Sequence, residues 1–131
     1  MWLRFNPDVI RMELEMAKDL GINTIRIFAH YYVFGGDNPN PYSSAFDKLD
    51  TFLWIAYSLG LRTIVTLFDL APYSIFTNLE ASKRHVDAFL TRFKNDGRIL
   101  MWDLKNEPPF KDVKVDPVAA SWLVEMYQYV K

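Results

Sequence analysis

Apolar positions along this chain switch between two periods. Helical spacing appears at Ile10, Leu14 and Ala17; at Leu49, Phe52, Leu53 and Ala56; at Val86, Phe89, Leu90 and Phe93; and at Trp122, Leu123, Met126 and Val130. Between these stretches lie short β-rich runs that are nearly continuously apolar, as strands covered on both faces should be. The segment from Leu20 to Phe28 matches that from Leu59 to Leu67, and Asp96 to Trp102 is a looser copy. Their glycines, Gly21, Gly60 and Gly97, fall just under forty residues apart, about one helix, one strand and two loops. Each glycine follows a helical pattern, where a left-handed cap is wanted. The predicted order is helix, strand, helix, strand, helix, strand, helix, an α/β chain of about three parallel strands and four helices in one domain, 1–131.

Helix starts are marked as well. Asn6-Pro7 and Asp116-Pro117 each pair a capping side chain with a proline at the first helical position. Ser44 with Asp47, and Thr77 with Glu80, have capping-box spacing. Helix-to-strand turns are short. Strand-to-helix loops are long, running from Ala29 to Ser43, Leu70 to Thr77 and Pro109 to Asp116. Long loops at the C-terminal ends of the strands mark the working face of α/β enzymes. No glycine-rich phosphate loop follows a strand, so nucleotide binding is not expected.

Composition narrows the function classes. A formal net charge of −1 without blocks of like charge gives no reason to expect a nucleic-acid or membrane-surface partner. There is no cysteine, which removes disulfide and thiolate chemistry. Met1-Trp2-Leu3-Arg4 lacks the pattern of a secretion signal, and localisation stays open.

Strand alternation sorts the candidate chemistry. Thr24, Arg26 and Phe28 share one face of the first strand, and Met101, Asp103, Lys105 and Glu107 one face of the third. In the second, Asp69 alternates with Val65 and Leu67, against Thr66 and Phe68. Charges on a covered face are costly unless paired, so Arg26, Asp103, Lys105 and Glu107 are expected to meet in a common polar interior. Asp103 and Lys105 read as a structural ion-pair network, whereas Arg26 and Glu107 lie nearer the functional end. His85, among Lys83, Arg84 and Asp87, is expected to be solvated. His30 with Asp37 or Asp69 matches no metal-ligand spacing, and neither metal nor cofactor is expected.

Asn23-Thr24-Ile25-Arg26-Ile27, followed about eighty residues later by Trp102-Asp103-Leu104-Lys105-Asn106-Glu107-Pro108, resembles the (β/α)8 glycoside hydrolases of clan A, closest to the family 5-like cellulases and mannanases. The resemblance covers almost the whole chain. It implies a partial (β/α)8 barrel whose strands are the second, third and fourth of eight, and a carbohydrate substrate. It implies that Glu107 is the general acid/base, that Asn106 hydrogen-bonds the sugar 2-hydroxyl, and that Arg26 orients the nucleophile. His30 and Asp69, just past strand ends, lie where such enzymes place substrate-contacting polar groups. Tyr31, Tyr32, Phe34, Tyr42, Tyr73 and Phe76 are loop aromatics able to stack on sugar rings, with loop packing as the plainer role for each.

The chemistry suits these residue types. A retaining glycosidase needs a proton donor for the leaving group and a second carboxylate about 5–5.5 Å away as nucleophile. The family's nucleophile is a glutamate ending the seventh strand, and none of the acids here matches that position. Three strands cannot close a barrel. Hence the chain is expected to be a segment that joins the rest of a barrel or associates with itself, and an isolated monomer is expected not to hydrolyse glycans. The alternative reading is a non-catalytic carbohydrate-binding or self-assembling barrel fragment.

Overall fold

A computed structural model describes residues 1–111 and 114–131. Among them the chain alternates α1 (Pro7–Asp19), β1 (Thr24–His30), α2 (Ser43–Ser58), β2 (Arg62–Asp69), α3 (Leu79–Phe93), β3 (Ile99–Lys105) and α4 (Pro117–Val130). The three strands form one parallel sheet in the order β1-β2-β3. This is an open part of a (β/α)8 barrel. The long third loop adds two short strands, β4 (Phe110–Lys111) and β5 (Lys114–Val115), paired antiparallel. No helix among the described residues is long and apolar enough to cross a membrane.

The helix-to-strand turns explain the sequence repeat. Gly21 (φ +84°) donates to the Lys18 carbonyl while Ile22 donates to Ala17. Gly60 (φ +77°) donates to Tyr57 while Leu61 donates to Ala56. Both are the same two-bond termination, in which a left-handed residue satisfies the last helical carbonyls. Gly97, the third copy, has no left-handed φ. There Asp96 makes the turn instead, accepting from the backbone N–H and guanidinium of Arg98, whose other arm reaches Asp50 on α2 at 2.6 Å. Arg98 pulls the Asp96 carboxyl below its ordinary range.

At the helix starts, Asn6 accepts from the N–H groups of Asp8 and Val9, and Asp116 from those of Val118 and Ala119. The two capping boxes are not formed. Helix α2 begins at Ser43, one residue before Ser44, and its cap position is Tyr42. Helix α3 is capped by Asn78 rather than Thr77, its carboxamide accepting from Ala81 N–H at 3.1 Å.

One face of the sheet is buried under the helices. Ile27, Ala29, Val65 and Leu67 meet Leu49, Leu53, Val86 and Phe89 in a single cluster. Phe46 packs edge to face on both Phe34 and Phe89, which are tilted against each other, with ring centroids 4.9 to 5.2 Å apart. His85 belongs to this core and is not solvated. It is 3 % exposed, lies against Tyr31, Phe68 and Phe89, and donates from Nε2 to the Leu67 carbonyl at 2.9 Å. The opposite face carries Arg26, Phe28 and Met101, all exposed. Residues Trp2–Arg4 form a 3-10 turn in which buried Trp2 donates to the Phe28 carbonyl on edge strand β1 at 2.7 Å.

Candidate active site

The open face of the sheet converges on its C-terminal edge. Arg26 of β1 donates from Nε (3.0 Å) and Nη2 (2.5 Å) to Asp103 Oδ2 of β3. Thr66 of β2, fully buried between them, donates to the same oxygen at 2.7 Å and accepts from Arg26 Nε at 3.1 Å. Arg26 and Asp103, both expected in a polar interior, are thus paired with each other, with Thr66 bridging them; the expected Asp103–Lys105 ion pair is not formed among the described residues, the Lys105 ammonium donating to the Asn106 carbonyl instead. The available signal for Thr66 was a hydroxyl inside an otherwise apolar strand.

A register shift then changes the alternation. Phe28 pairs with Thr66, but His30 pairs with Asp69. The extra residue in β2 takes Asp69 off the face of Val65 and Leu67, where simple alternation sets it, and brings it to the mouth. There Asp69 Oδ1 accepts from Asn106 Nδ2 at 3.2 Å, while Asn106 Oδ1 lies 3.5 Å from Arg26 Nη2. Arg26, Asp69, Asp103 and Asn106 thus form one continuous polar cluster drawn from all three strands.

Glu107 sits at its rim with an exposed side chain and a left-handed backbone, φ +48°. Leu70, just past the end of β2, has φ +50°. Such conformations cost on the order of 1–3 kcal/mol for residues with a Cβ and persist where the surroundings impose them. Here the Lys105 ammonium donates to the Asn106 carbonyl, and Pro108 follows Glu107. Burial holds the Lys105 pKa below its ordinary value, against the nearby carboxylates of Asp69, Glu107 and Asp103.

The aromatic candidates divide. Tyr31 has no exposed surface. Its ring stacks on Phe68, and its hydroxyl donates to Asp37 at 2.7 Å; burial first, and then that bond, raises its pKa. No ring face is left for a sugar. Phe34 and Phe76 are core residues too. Tyr73 is exposed and donates to Asp116 Oδ1 at 3.1 Å, tying the loop after β2 to the cap of α4; this bond raises the phenol's pKa. Tyr32 and Tyr42 are each 54 % exposed. His30 lines a cleft of about 380 Å3 with Trp2, Arg26, Phe28 and Asp69, and its Nδ1 is sealed from solvent without a partner among the described residues.

Polar groups gathered at the C-terminal ends of parallel strands, on a face left open, mark the working edge of a partial barrel. The sequence model for cellulase (glycosyl hydrolase family 5) matches residues 8–131, and the chain belongs to that family. It is similar to mannan endo-1,4-beta-mannosidase A of Podospora anserina, 29 % identical over 75 residues, which are 55 % of this chain and 20 % of that protein. Its fold matches GH5_18 from Bifidobacterium longum subsp. longum (TM-score 0.82, 18 % identity, 99 % of this chain and 37 % of that one). It also matches GH5_18 from Streptomyces cattleya, solved in complex with GlcNAc (TM-score 0.76, 21 % identity, 98 % and 37 %). The chain spans well under half the length of each of these proteins.

Proposed function

We propose that this chain is the part of a retaining glycoside hydrolase that carries the acid/base, acting on β-linked glycans, with Glu107 donating the proton to the leaving oxygen. The observation that carries this reading is the cluster Arg26–Asp103–Thr66 joined through Asn106 to Asp69, with Glu107 adjoining it on the rim. Two of these groups have roles that fit the chemistry. Asn106, held between Arg26 and Asp69, presents an oriented amide to a sugar hydroxyl, and such a bond strengthens as charge develops at the anomeric carbon. Arg26 stays aimed at the mouth because Asp103 and Thr66 fix its Nε side. Its guanidinium is then placed to orient a second carboxylate supplied by the remainder of a barrel. Protonation by Glu107 and attack by that carboxylate would give a glycosyl-enzyme, which water releases with Glu107 as base.

Mannose-containing glycans are the substrate class we favour, because the relatives include a mannan endo-1,4-beta-mannosidase and a GH5_18 variant solved with Manb1-4GlcNAc. The site is tested by titrating the 15N-labelled chain with β-1,4-mannobiose. Saturable shifts at the Asn106 side-chain amide and Arg26 Nε–H are expected, with the Arg26 shift lost in Asn106→Ala. Shifts confined to residues away from the mouth would sink the reading.

A further inference from the structure

Glu107 stands in a backbone conformation that its sequence disfavours twice over. Its φ of +48° is left-handed, which is costly for a residue with a Cβ. It also precedes Pro108, and a following proline ordinarily drives the chain to extended conformations. Such a conformation persists only where the surroundings impose it. That φ is the rotation of Glu107 about the peptide joining it to Asn106, and Asn106 is tied at both ends. Its side chain donates to Asp69 Oδ1 at 3.2 Å, and its carbonyl accepts from Lys105 Nζ at 2.5 Å.

Lys105 is well placed to act as an anchor. It is the last residue of β3 and pairs with Phe68 of β2, so its backbone is fixed by the sheet. Its side chain turns forward to the first peptide beyond the strand. The ammonium is half-buried, and burial works against its charge while the carboxylates of Asp69, Glu107 and Asp103 work for it. Yet no carboxylate among the described residues lies within ion-pair distance of Nζ. Its one hydrogen bond among those residues is the bond to the Asn106 carbonyl. A bond from a charged donor is about twice as strong as one between neutral groups. The charge is therefore spent on a backbone carbonyl next to Glu107, and a neutral side chain of the same length would not hold it.

We propose that Lys105 is a positioning residue, whose ammonium grips the Asn106 carbonyl and thereby keeps Glu107 in the left-handed conformation that sets its carboxyl group at the rim. The inference rests on the acid/base reading of Glu107 above. Lys105 acts through Glu107, so its removal should be felt only where the leaving group needs a proton.

The test compares kcat/KM on an unactivated β-1,4-manno-oligosaccharide with kcat/KM on a 2,4-dinitrophenyl glycoside, which needs no proton to leave. The protein is the product of the whole source gene carrying residues 1–131, with Lys105→Met, Lys105→Arg and Glu107→Gln beside it. A misplaced catalytic group costs up to about a hundredfold, so the ratio of the first value to the second should fall roughly ten- to a hundredfold in Lys105→Met. Lys105→Arg, which keeps a charged donor, should retain most of the ratio. An equal fall on both substrates in Lys105→Met marks a merely structural lysine and overturns the inference, as does an unchanged ratio. A ratio that falls in Glu107→Gln but not in Lys105→Met overturns the inference alone. A ratio that falls in neither overturns the acid/base reading with it, as does failure of the unsubstituted protein to cleave either substrate.

Discussion

Arg26 and Asp103 are bonded across the whole width of the sheet. They stand on β1 and β3, which are not neighbours, and the guanidinium spans β2 to reach Asp103 Oδ2 at 2.5 Å, with Thr66 Oγ1 on the same oxygen. The pair clips the first strand to the third on the face the helices do not cover. Its side chains are 43 % and 28 % exposed, so solvent screens it, and its stabilising effect is modest. A double-mutant cycle with Arg26→Gln and Asp103→Asn should give a coupling of about 0.5–1 kcal/mol, shrinking in high salt. Urea unfolding of the four proteins measures it.

The backbone of Glu107 leads to a second expectation. A left-handed φ suits asparagine better than glutamate, because a short polar side chain bonds its own backbone there. Glu107→Asn should raise the unfolding free energy by up to about 1 kcal/mol and the melting temperature by a few degrees, while removing the acid. Stability lost in Glu107→Asn would show that the conformation imposes no strain.

His85 makes stability depend on pH. Burial pushes its pKa down to about 4 in the folded chain, opposed by the hydrogen bond to Leu67, whereas an unfolded chain has the ordinary value of 6.5. Between those values the unfolded state binds the extra proton. The contribution is therefore fully present above pH 6.5 and is lost as pH falls toward 4, by on the order of 3 kcal/mol. His85→Gln keeps a donor for Leu67 without titrating. Its stability should fall less steeply across this window than that of the unsubstituted chain, as thermal scans at several pH values would register.

The glycines separate geometry from repetition. Gly60→Ala places a Cβ on a residue at φ +77° and should cost about 1–2 kcal/mol. Gly97→Ala, with nothing within 4 Å of its Cβ and no left-handed φ, should be neutral or slightly stabilising. Melting temperatures decide between this contrast and equal roles for the three glycines.

Most of the fold was legible because helix and strand periods alternate cleanly and because a glycine repeat marks two identical helix ends. The polar cluster was legible in part, since charged residues in apolar strands must find partners. Asp69 defeated simple alternation because one extra residue in β2 reverses its side, and a bulge leaves no periodic trace. His85 was misplaced because its neighbours in sequence are charged, whereas its neighbours in space are Tyr31, Phe68 and Phe89. Tyr31 and Tyr32 are adjacent in the same loop, yet one is in the core and the other faces solvent. Tyr31 is held inside by Phe68 and Asp37, contacts that sequence pattern does not encode.

The most direct test of the account is kinetic, on the product of the whole source gene carrying residues 1–131, with Glu107→Ala beside it. On unactivated β-1,4-manno-oligosaccharides the variant should lose roughly 10²–10⁴-fold in turnover, the range for a general acid/base. On a 2,4-dinitrophenyl glycoside, whose leaving group needs no proton, formation of the glycosyl-enzyme should persist. Added azide should then restore turnover and yield a glycosyl azide of retained configuration. Undiminished turnover of the oligosaccharides by Glu107→Ala would contradict the assignment outright.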